Sequence, residues 1–217
     1  MKSLLKAVIR ECENQSCRFR FPDTNTTDKS IFCPKCNSAA TTREIIDLSR
    51  DFRDDTKPNL SVDIITILDN IRGVYNTGSI FRTAVGFGFE RMVLCGITPS
   101  PNHRNFGKTS MGAEDFIRWD TSNNCLESCR QQKQSGFMIL AAEKTSNSIN
   151  LCDFNEKIDQ AKKIAVVIGN ELTGVDPRVL SISDMVFSIP IFGENKSYNV
   201  ATAFGIIAYH LFSLFTN

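Results

Sequence analysis

Residues 185–201 read MVFSIPIFGENKSYNVA, and the rest of the chain is organised around this stretch. It begins as a short apolar strand that ends at Pro190, and it continues as a polar loop that contains a glycine. Ser197 and Asn199 then open a long apolar run from Val200 to Phe215. A strand end, a polar loop and a helix start together are typical of a small-ligand site in an α/β fold.

Two earlier stretches have the same order of strand, polar loop and helix. Residues 69–84 pass from an apolar strand through a polar loop into a helical pattern, and residues 166–175 carry two glycines where a backbone can approach a ligand closely. Taken singly, the polar residues at these junctions are ordinary turn formers or helix caps. Three such junctions in one sheet predict three walls of one pocket.

Short apolar runs alternate with helical patterns from residue 60 to residue 217. Strands are predicted at residues 62–68, 91–95, 137–142, 164–168 and 185–189, and helices at residues 79–85, 126–133 and 200–215. Asp176 and Pro177 are typical of the first positions of one more short helix. Nearly continuous apolar strands indicate a parallel sheet that is covered on both faces. We therefore expect an α/β domain with an open, mostly parallel sheet and helices on both faces.

The totals limit the possible function classes. A chain of 217 residues with 41% hydrophobic residues can build a real core, and a formal net charge of +1 gives no global reason to bind nucleic acid or a membrane. The apolar run near the C-terminus is interrupted by polar residues and is short for a membrane span. The first ten residues lack the apolar core of a signal peptide. We expect a soluble, cytoplasmic protein, and any nucleic-acid binding would have to come from local patches.

Four of the eight cysteines lie in the first 36 residues, and their spacing indicates a metal site. The predicted zinc ligands are Cys12, Cys17, Cys33 and Cys36. The polar loop between the two pairs could not fold alone, so metal would supply the missing stability. The alternatives are two disulfides or four unrelated thiols. We predict a zinc-ribbon-like module at residues 1–45, a mixed-charge linker at residues 46–59, and buried thiols for the other four cysteines.

Two local patches are candidate RNA-binding surfaces. Residues 18–21 interleave Arg18 and Arg20 with two phenylalanines, which suits guanidinium contacts to phosphate and ring contacts to bases. The alternative is a ribbon strand whose alternate residues pack inward, and both interpretations stay open. Arg104 and Lys108 belong to the most cationic part of the second domain, where a solvated face is the alternative.

Three motifs resemble, in order and spacing, the signature motifs of the SpoU-type RNA 2′-O-methyltransferases of the knotted SPOUT class. They are Asn76-x-Gly78-x3-Arg82-Thr83-Ala84, Ile168-Gly169-Asn170-Glu171-x2-Gly174 and Ile189-Pro190-x6-Ser197-Tyr198-Asn199-Val200. Residues 107–113, GKTSMGA, match a further stretch of the family. The resemblance runs from about residue 62 to the C-terminus and leaves out the cysteine module. This chain departs from the family at Tyr198, where Leu is usual, and we expect tolerance or an altered cofactor affinity.

The resemblance implies a fold, a cofactor and an assembly. The C-terminal segment would thread a loop and form a trefoil knot, S-adenosylmethionine would sit in that knot, and the protein would act as a homodimer. The cofactor-binding residues that it implies are Ala142, Gly169, Asn170, Glu171, Gly174, Ile189, Ile191, Ser197, Tyr198 and Asn199.

The resemblance also implies a reaction, in which a ribose 2′-hydroxyl of tRNA or rRNA attacks the methyl group of the sulfonium. The implied catalytic residues are Arg82, Asn76, Glu171, Ser197 and Asn199. A guanidinium is a poor base because its pKa is above about 12, so Arg82 would hold phosphate and stabilise the developing alkoxide, and whether it takes the proton stays open. Zinc would be structural or would bind RNA. The alternatives are a non-catalytic RNA-binding protein and a zinc-ribbon interaction protein that retain the fold.

Overall fold

The computed structural model describes residues 6–27, 31–48, 58–153, 158, 160–194 and 196–216. The chain divides into two compact units, Met1–Thr56 and Lys57–Asn217. Most of the predicted linker at residues 46–59 lies outside the described residues, as do residues 154–157 and 159.

The described part of the first unit is built on a four-stranded antiparallel sheet in the order β2-β1-β4-β3. The strands are β1 (Lys6–Cys12), β2 (Arg20–Asp23), β3 (Ile31–Phe32) and β4 (Ala39–Asp47). Side chains alternate along β1, so that Val8, Arg10 and Cys12 are buried on one face.

Arg10 is the largest polar side chain in this small core, and it is only 2% exposed. Its guanidinium donates to the Asp23 carboxylate at 2.8 Å, to the Thr42 hydroxyl at 3.0 Å, and to the carbonyls of Asn25 and Thr27 at 2.7 and 3.1 Å. These bonds satisfy a buried charge that would otherwise be costly. They also fasten the polar loop after β2 to the sheet.

The second unit contains a sheet of seven parallel strands among its described residues, in the order β7-β6-β5-β10-β8-β11-β9. The strands are β5 (Asp63–Asp69), β6 (Arg91–Cys95), β7 (Arg118–Ser122), β8 (Met138–Ala142), β9 (Ile149–Asn150), β10 (Lys163–Ile168) and β11 (Met185–Ser188). The helices are α1 (Val74–Gly86), α2 (Gly107–Ser110), α3 (Cys125–Gln134), α4 (Pro177–Ile182) and α5 (Val200–Phe215). The prediction of a mostly parallel sheet is confirmed.

Each face of this sheet carries its own apolar core, which explains why the central strands are apolar at almost every position. On one face, Ile64 and Leu68 of β5 pack in a cluster that includes residues of α1 and α5. On the other face, Ile65 and Ile67 pack in a cluster that includes residues of α3 and α4. Helices therefore cover both faces, as predicted.

The two strands that the sequence pattern missed lie at the edges of the sheet. β7 is mostly polar and half-exposed, so it lacks the apolar run by which a buried strand is recognised. It is placed by its parallel pairing with β6. β9 is only two residues long. The pattern also placed the start of α1 five residues too late, at residue 79 rather than Val74.

The last helix spans Val200–Phe215, as predicted. Its N-cap is Asn199, whose side-chain oxygen accepts the N–H groups of Ala201 at 2.9 Å and Thr202 at 3.3 Å. Strand order does not test the trefoil knot, which stays a prediction. Within the described ranges, no helix is long and apolar enough to cross a membrane.

Candidate active site

A cavity of about 520 Å³ lies at the carboxyl ends of β8, β10 and β11. Because these strands are parallel, the residues that follow them meet at one edge of the sheet, which is where α/β folds usually bind ligands. The first turns of α5 complete the lining through Val200, Ala203 and Ile207. The lining mixes amide, hydroxyl and charged groups with apolar side chains.

All ten residues that the family resemblance implied for cofactor binding line this cavity, although they come from separate parts of the chain. Sequence reasoning missed several other lining residues, among them Glu143, Lys144, Leu172, Phe187, Ser188 and Lys196. The signal that could have found Glu143 is an acidic residue directly after an apolar strand.

The loop after β10 is closed by its own backbone and by Asn170. Asn170 and Gly174 exchange N–H to carbonyl hydrogen bonds of 3.0 and 2.9 Å. The Asn170 side-chain oxygen accepts two further N–H groups within the loop, and its amide nitrogen donates to the Asn70 carbonyl at 2.6 Å. A Cβ on Gly169 would overlap the backbone of Gly174, so this tight turn requires glycine there.

Glu143 holds the same loop from the neighbouring strand. Its carboxylate accepts the Val175 N–H at 2.9 Å and the Lys144 N–H at 3.0 Å. Gly174 has φ +71°, and a Cβ at that position would overlap the Glu143 carboxylate. Glu143 therefore fixes the position of the loop at the cavity.

Asn199, Asn76 and Glu171, one from each sequence motif, form a continuous hydrogen-bond chain. The Asn199 side-chain amide donates to the Asn76 side-chain oxygen at 3.2 Å, and the Asn76 amide donates to the Glu171 carboxylate at 2.9 Å. Every oxygen in the chain accepts and every amide nitrogen donates, so the orientation of the Asn76 amide is set from both sides. Asn76 lies in the first turn of α1 rather than in the loop before it.

Glu171 also closes the amino end of α1. Its two oxygens accept the N–H groups of Arg72 at 2.9 Å and Gly73 at 3.1 Å, and the N-cap Gly73 has no side chain to do so. Partial burial raises the pKa of the Glu171 carboxyl, but hydrogen bonds from Arg72, Asn76 and Gly73 outweigh it and lower that pKa below its usual value. A carboxylate is favourable at this end of a helix. The sequence next to α1 contains no capping side chain, which explains why the sequence pattern predicted the start of this helix too late.

The structure does not place Arg82 in the cavity lining. Arg82 is exposed on α1, and among the described residues it has no hydrogen-bond or ion-pair partner. It lies one turn after Gly78, which packs so closely on α2 that a Cβ there would meet the Ser110 nitrogen at 3.0 Å. Residues four apart share a helix face, so Arg82 is on the α2 side of α1. Lys108 in α2 and Arg104 before it are also exposed.

The four cysteines of the first unit converge at one point. Their sulfur atoms all lie within 4.8 Å of one another, with 3.4 Å between Cys12 and Cys36 and 3.9 Å between Cys17 and Cys33. A tetrahedral zinc–thiolate site has sulfur–sulfur edges of about 3.8 Å, whereas a disulfide bond is about 2 Å. The donor set and its size therefore fit zinc and not two disulfides. Hydrogen bonds from the Ser38 hydroxyl and N–H lower the pKa of the Cys36 thiol to about 6.

The remaining cysteines only partly follow the prediction of buried thiols. Cys95, Cys125 and Cys129 are buried in the core of the second unit, whereas Cys152 is exposed. Cys152 follows the short edge strand β9, where nothing in the sequence pattern distinguishes an exposed position from a buried one.

The alternating residues 18–21 separate onto two sides of the first sheet. Phe21 pairs with Arg10 and therefore shares the face that carries Cys12, and its ring stacks with Phe19 at 5.9 Å. Arg20 pairs with Glu11 on the opposite face. Arg20 and Phe21 therefore lie on opposite faces of the sheet, whereas Phe19, before β2, is 38% exposed and has Lys35 Nζ 6.0 Å from its ring centroid.

Residues 63–209 match the SpoU rRNA Methylase family. The chain belongs to this family. The match leaves the cysteine unit outside it. Within the second unit it confirms the family and the enzyme class that the three motifs predicted.

Relatives of this SpoU family member agree with the match. The chain is 30% identical over 147 residues to the tRNA (guanosine(18)-2′-O)-methyltransferase of Aquifex aeolicus. The aligned residues cover 68% of this chain and 67% of the relative. The crystal structure of the A. aeolicus TrmH/SpoU tRNA modifying enzyme superposes with a TM-score of 0.63 and 26% identity, over 71% of this chain and 77% of that one. An AdoMet-bound rRNA methyltransferase from Sinorhizobium meliloti superposes with a TM-score of 0.64 and 25% identity, over 72% of this chain and 58% of that one.

Proposed function

We propose that this SpoU family member transfers a methyl group from S-adenosylmethionine to a ribose 2′-hydroxyl of tRNA or rRNA. The observation that carries the proposal is the hydrogen-bond chain of Asn199, Asn76 and Glu171, which joins all three motifs beside one cavity. The relatives named above act on these two classes of RNA, and one of the solved structures contains the cofactor.

The cavity fits the cofactor in size and in lining. A volume of about 520 Å³ falls within the range of small-molecule sites, which is about 300 to 1,000 Å³. Ile189, Ile191 and Ile207 offer an apolar surface for a purine, and the backbone of the loop after β10 offers polar groups. When bound, S-adenosylmethionine supplies an electrophilic methyl group on a positively charged sulfur.

The residues of the chain have separate roles in this proposal. Glu171 and Asn199 hold the amide of Asn76, so that Asn76 presents a fixed edge to the ribose. Ser197 lines the cavity beside Asn199 and shapes its ribose side. Arg82 offers a guanidinium with no partner among the described residues, which binds the RNA phosphate and stabilises the negative charge that develops on the 2′-oxygen. Arg104 and Lys108 extend the cationic surface for the same RNA.

The direct test is to incubate the protein with methyl-labelled S-adenosylmethionine and separate pools of unmodified tRNA and rRNA. The labelled RNA is then digested to nucleosides. We expect label in a 2′-O-methyl nucleoside from one pool, which also identifies the substrate class. Label in a base contradicts the proposed reaction. No label in either pool, with cofactor binding verified, favours the non-catalytic alternative.

We also propose that the four clustered cysteines bind one structural Zn²⁺. Cys12, Cys17, Cys33 and Cys36 would be the ligands, and the turns around them support such a site. Asn37 follows the second pair with φ +58° and donates its N–H to the Cys33 carbonyl at 2.9 Å. Metal analysis of protein purified under reducing, chelator-free conditions is expected to give about one zinc per chain, and a ratio near zero contradicts the proposal.

We further propose that the chain forms a homodimer and works in the cytoplasm with its RNA. Helix α5 is apolar on most of its surface, and it leaves Ile206 at 37% and Tyr209 at 62% exposure. A second copy of this helix would cover both side chains. Light scattering of the eluted protein is expected to give twice the chain mass, and Tyr209→Glu is expected to shift it toward the monomer. A monomeric wild type contradicts the proposal.

A further inference from the structure

We propose that the first unit binds the phosphate backbone of RNA through an arginine face, which is formed by Arg18, Arg20 and Arg43 around Glu11. The choice of RNA as the partner rests on the proposed function. The inference deepens it by assigning backbone affinity to the cysteine unit, through residues outside the SpoU match.

The arginine face is set by the alternation of β1. Glu11 points away from the face of Arg10 and Cys12, and it pairs in register with Arg20 of β2. Guanidinium nitrogens of Arg20, Arg18 and Arg43 lie 3.6, 3.7 and 3.8 Å from the Glu11 carboxylate. Three cations from three backbone segments therefore share one carboxylate.

The outside of this cluster carries more positive than negative charge, because three exposed arginines outnumber the one exposed carboxylate, Glu44, at 64%. The Glu11 side chain is only 13% exposed, whereas those of Arg18, Arg20 and Arg43 are 69%, 49% and 50% exposed. Arg20 also pairs with Glu44 at 2.7 Å. At 3.7 and 3.8 Å, Arg18 and Arg43 are too far from Glu11 for a hydrogen bond. Their N–H donors are therefore not used by that carboxylate.

The backbone that carries the three side chains is fixed. Arg18 directly follows Cys17, with φ +46°, and donates its N–H to the Asn14 carbonyl at 2.9 Å. Arg20 and Arg43 belong to β2 and β4, on either side of β1. Because the backbone is already ordered, the conformational entropy lost on binding an anion is limited to that of the arginine side chains.

The chemistry of the face favours a phosphate backbone over bases. A guanidinium donates two parallel hydrogen bonds to phosphate, and such contacts position a nucleic acid without reading its sequence. The rings that could stack on bases, Phe19 and Phe21, contact each other on the opposite side. We therefore infer that this face contributes to the affinity for RNA and to its salt dependence, and that it does not select the nucleotide.

The test uses the full chain with Arg18→Gln and Arg43→Gln combined, which leaves the ion pair of Arg20 with Glu44 in place. RNA binding is measured by fluorescence anisotropy with an unmodified transcript that the wild type binds, between 50 and 300 mM salt. Each lost phosphate contact reduces the magnitude of the slope of log K against log salt concentration by about 0.7 to 0.9. The slope of the double variant should therefore be smaller in magnitude by about 1.4 to 1.8, and the variant should bind RNA about tenfold more weakly. The matched control is Arg130→Gln, an arginine of 47% exposure on α3, which should bind like the wild type.

Further measurements keep the outcomes distinct. Arg18→Lys with Arg43→Lys retains the charge and should restore most of the salt slope, whereas a merely structural role predicts no rescue. If the double Gln variant keeps the RNA affinity, the salt slope and the zinc content of the wild type, the inference is overturned. Competition for the face by polyglutamate but not by polyuridylate also overturns it, because it identifies an acidic protein as the partner. If wild-type protein transfers no methyl group but the double variant loses RNA affinity, the proposed reaction fails and the arginine face stands.

Discussion

Replacing Glu171 with Gln is expected to destabilise the second unit, because this carboxylate closes the amino end of α1 from a distant loop. It accepts the N–H groups of Arg72 and Gly73 at 2.9 and 3.1 Å. Gln has a similar size, but it loses the charge and turns one acceptor into a donor. The loss of a helix cap costs about 1 kcal/mol. In a domain of this size that corresponds to a decrease of about 2 to 4 °C in the melting temperature at pH 7.

The effect of this substitution should depend on pH in one direction. The folded-state pKa of Glu171 is depressed, so its stabilisation is present above the unfolded-state pKa of about 4.3 and is lost as pH falls through the folded-state value. The difference in melting temperature between wild type and Glu171→Gln should therefore be largest near pH 7. It should shrink below about pH 5 and vanish at lower pH. Differential scanning calorimetry from pH 7 to pH 3 measures this difference.

The control is Glu90→Gln, which removes a carboxylate of 41% exposure that lies 3.4 Å from Arg118. An exposed pair of this kind contributes about 0 to 1 kcal/mol and caps no helix, so a smaller effect is expected. Equal effects of the two substitutions at pH 7 would refute the capping role. A Glu171→Gln effect that is the same at pH 3 and pH 7 would refute the pKa argument.

Three further substitutions test the site itself. Arg82→Ala should lower kcat about 100-fold and leave the Kd for S-adenosylmethionine within about twofold, as measured by single-turnover methylation and calorimetric titration. Gly174→Ala forces a Cβ onto the Glu143 carboxylate at φ +71°, so it should weaken cofactor binding and lower the free energy of unfolding by about 1 to 3 kcal/mol. Gly193→Ala, at φ +86° with open space around it, should cost only the backbone strain of an alanine at positive φ. Asn76→Asp places an acceptor against an acceptor in the hydrogen-bond chain, and thermal unfolding at pH 7 should show it less stable than Asn76→Ala by about 1 kcal/mol.

The parts of the fold that could be predicted from the sequence are those with a local physical cause. The β-branched run of β5 and the apolar run of β10 identify buried central strands, because both faces of such strands are covered. Helix α5 has its cap, Asn199, directly before it, so its start could be read from neighbouring residues. The ten residues assigned to cofactor binding came from the family resemblance, and all of them line the cavity. The local pattern by itself predicted only that three junctions of strand, polar loop and helix form one pocket.

The parts that could not be predicted have causes far away in the chain. The cap of α1 comes from Glu171, which lies 98 residues after Gly73, and no pattern within the helix indicates it. The burial of Arg10 depends on carbonyls of a loop that folds back 15 and 17 residues later. β7 is a strand because β6 offers it an edge, although its own residues are polar. Arg82 is the opposite case, since its motif was recognised but its place outside the cavity lining depends on the packing of α1 against α2.

The strength of the hydrogen-bond chain indicates what it does. It joins residues that are 95 and 123 positions apart, and each bond contributes only about 1 kcal/mol because water can replace it at the surface. Bonds this weak cannot bring the three loops together, so the two apolar cores of the sheet must do so first. The bonds then select one orientation of the Asn76 amide among loops that are already in place. A residue whose amide orientation is fixed in this way can favour one arrangement of a bound ribose over others, which is the requirement for methylating one hydroxyl. For this reason we expect substitutions in the chain to reduce methyl transfer by a larger factor than they reduce cofactor binding.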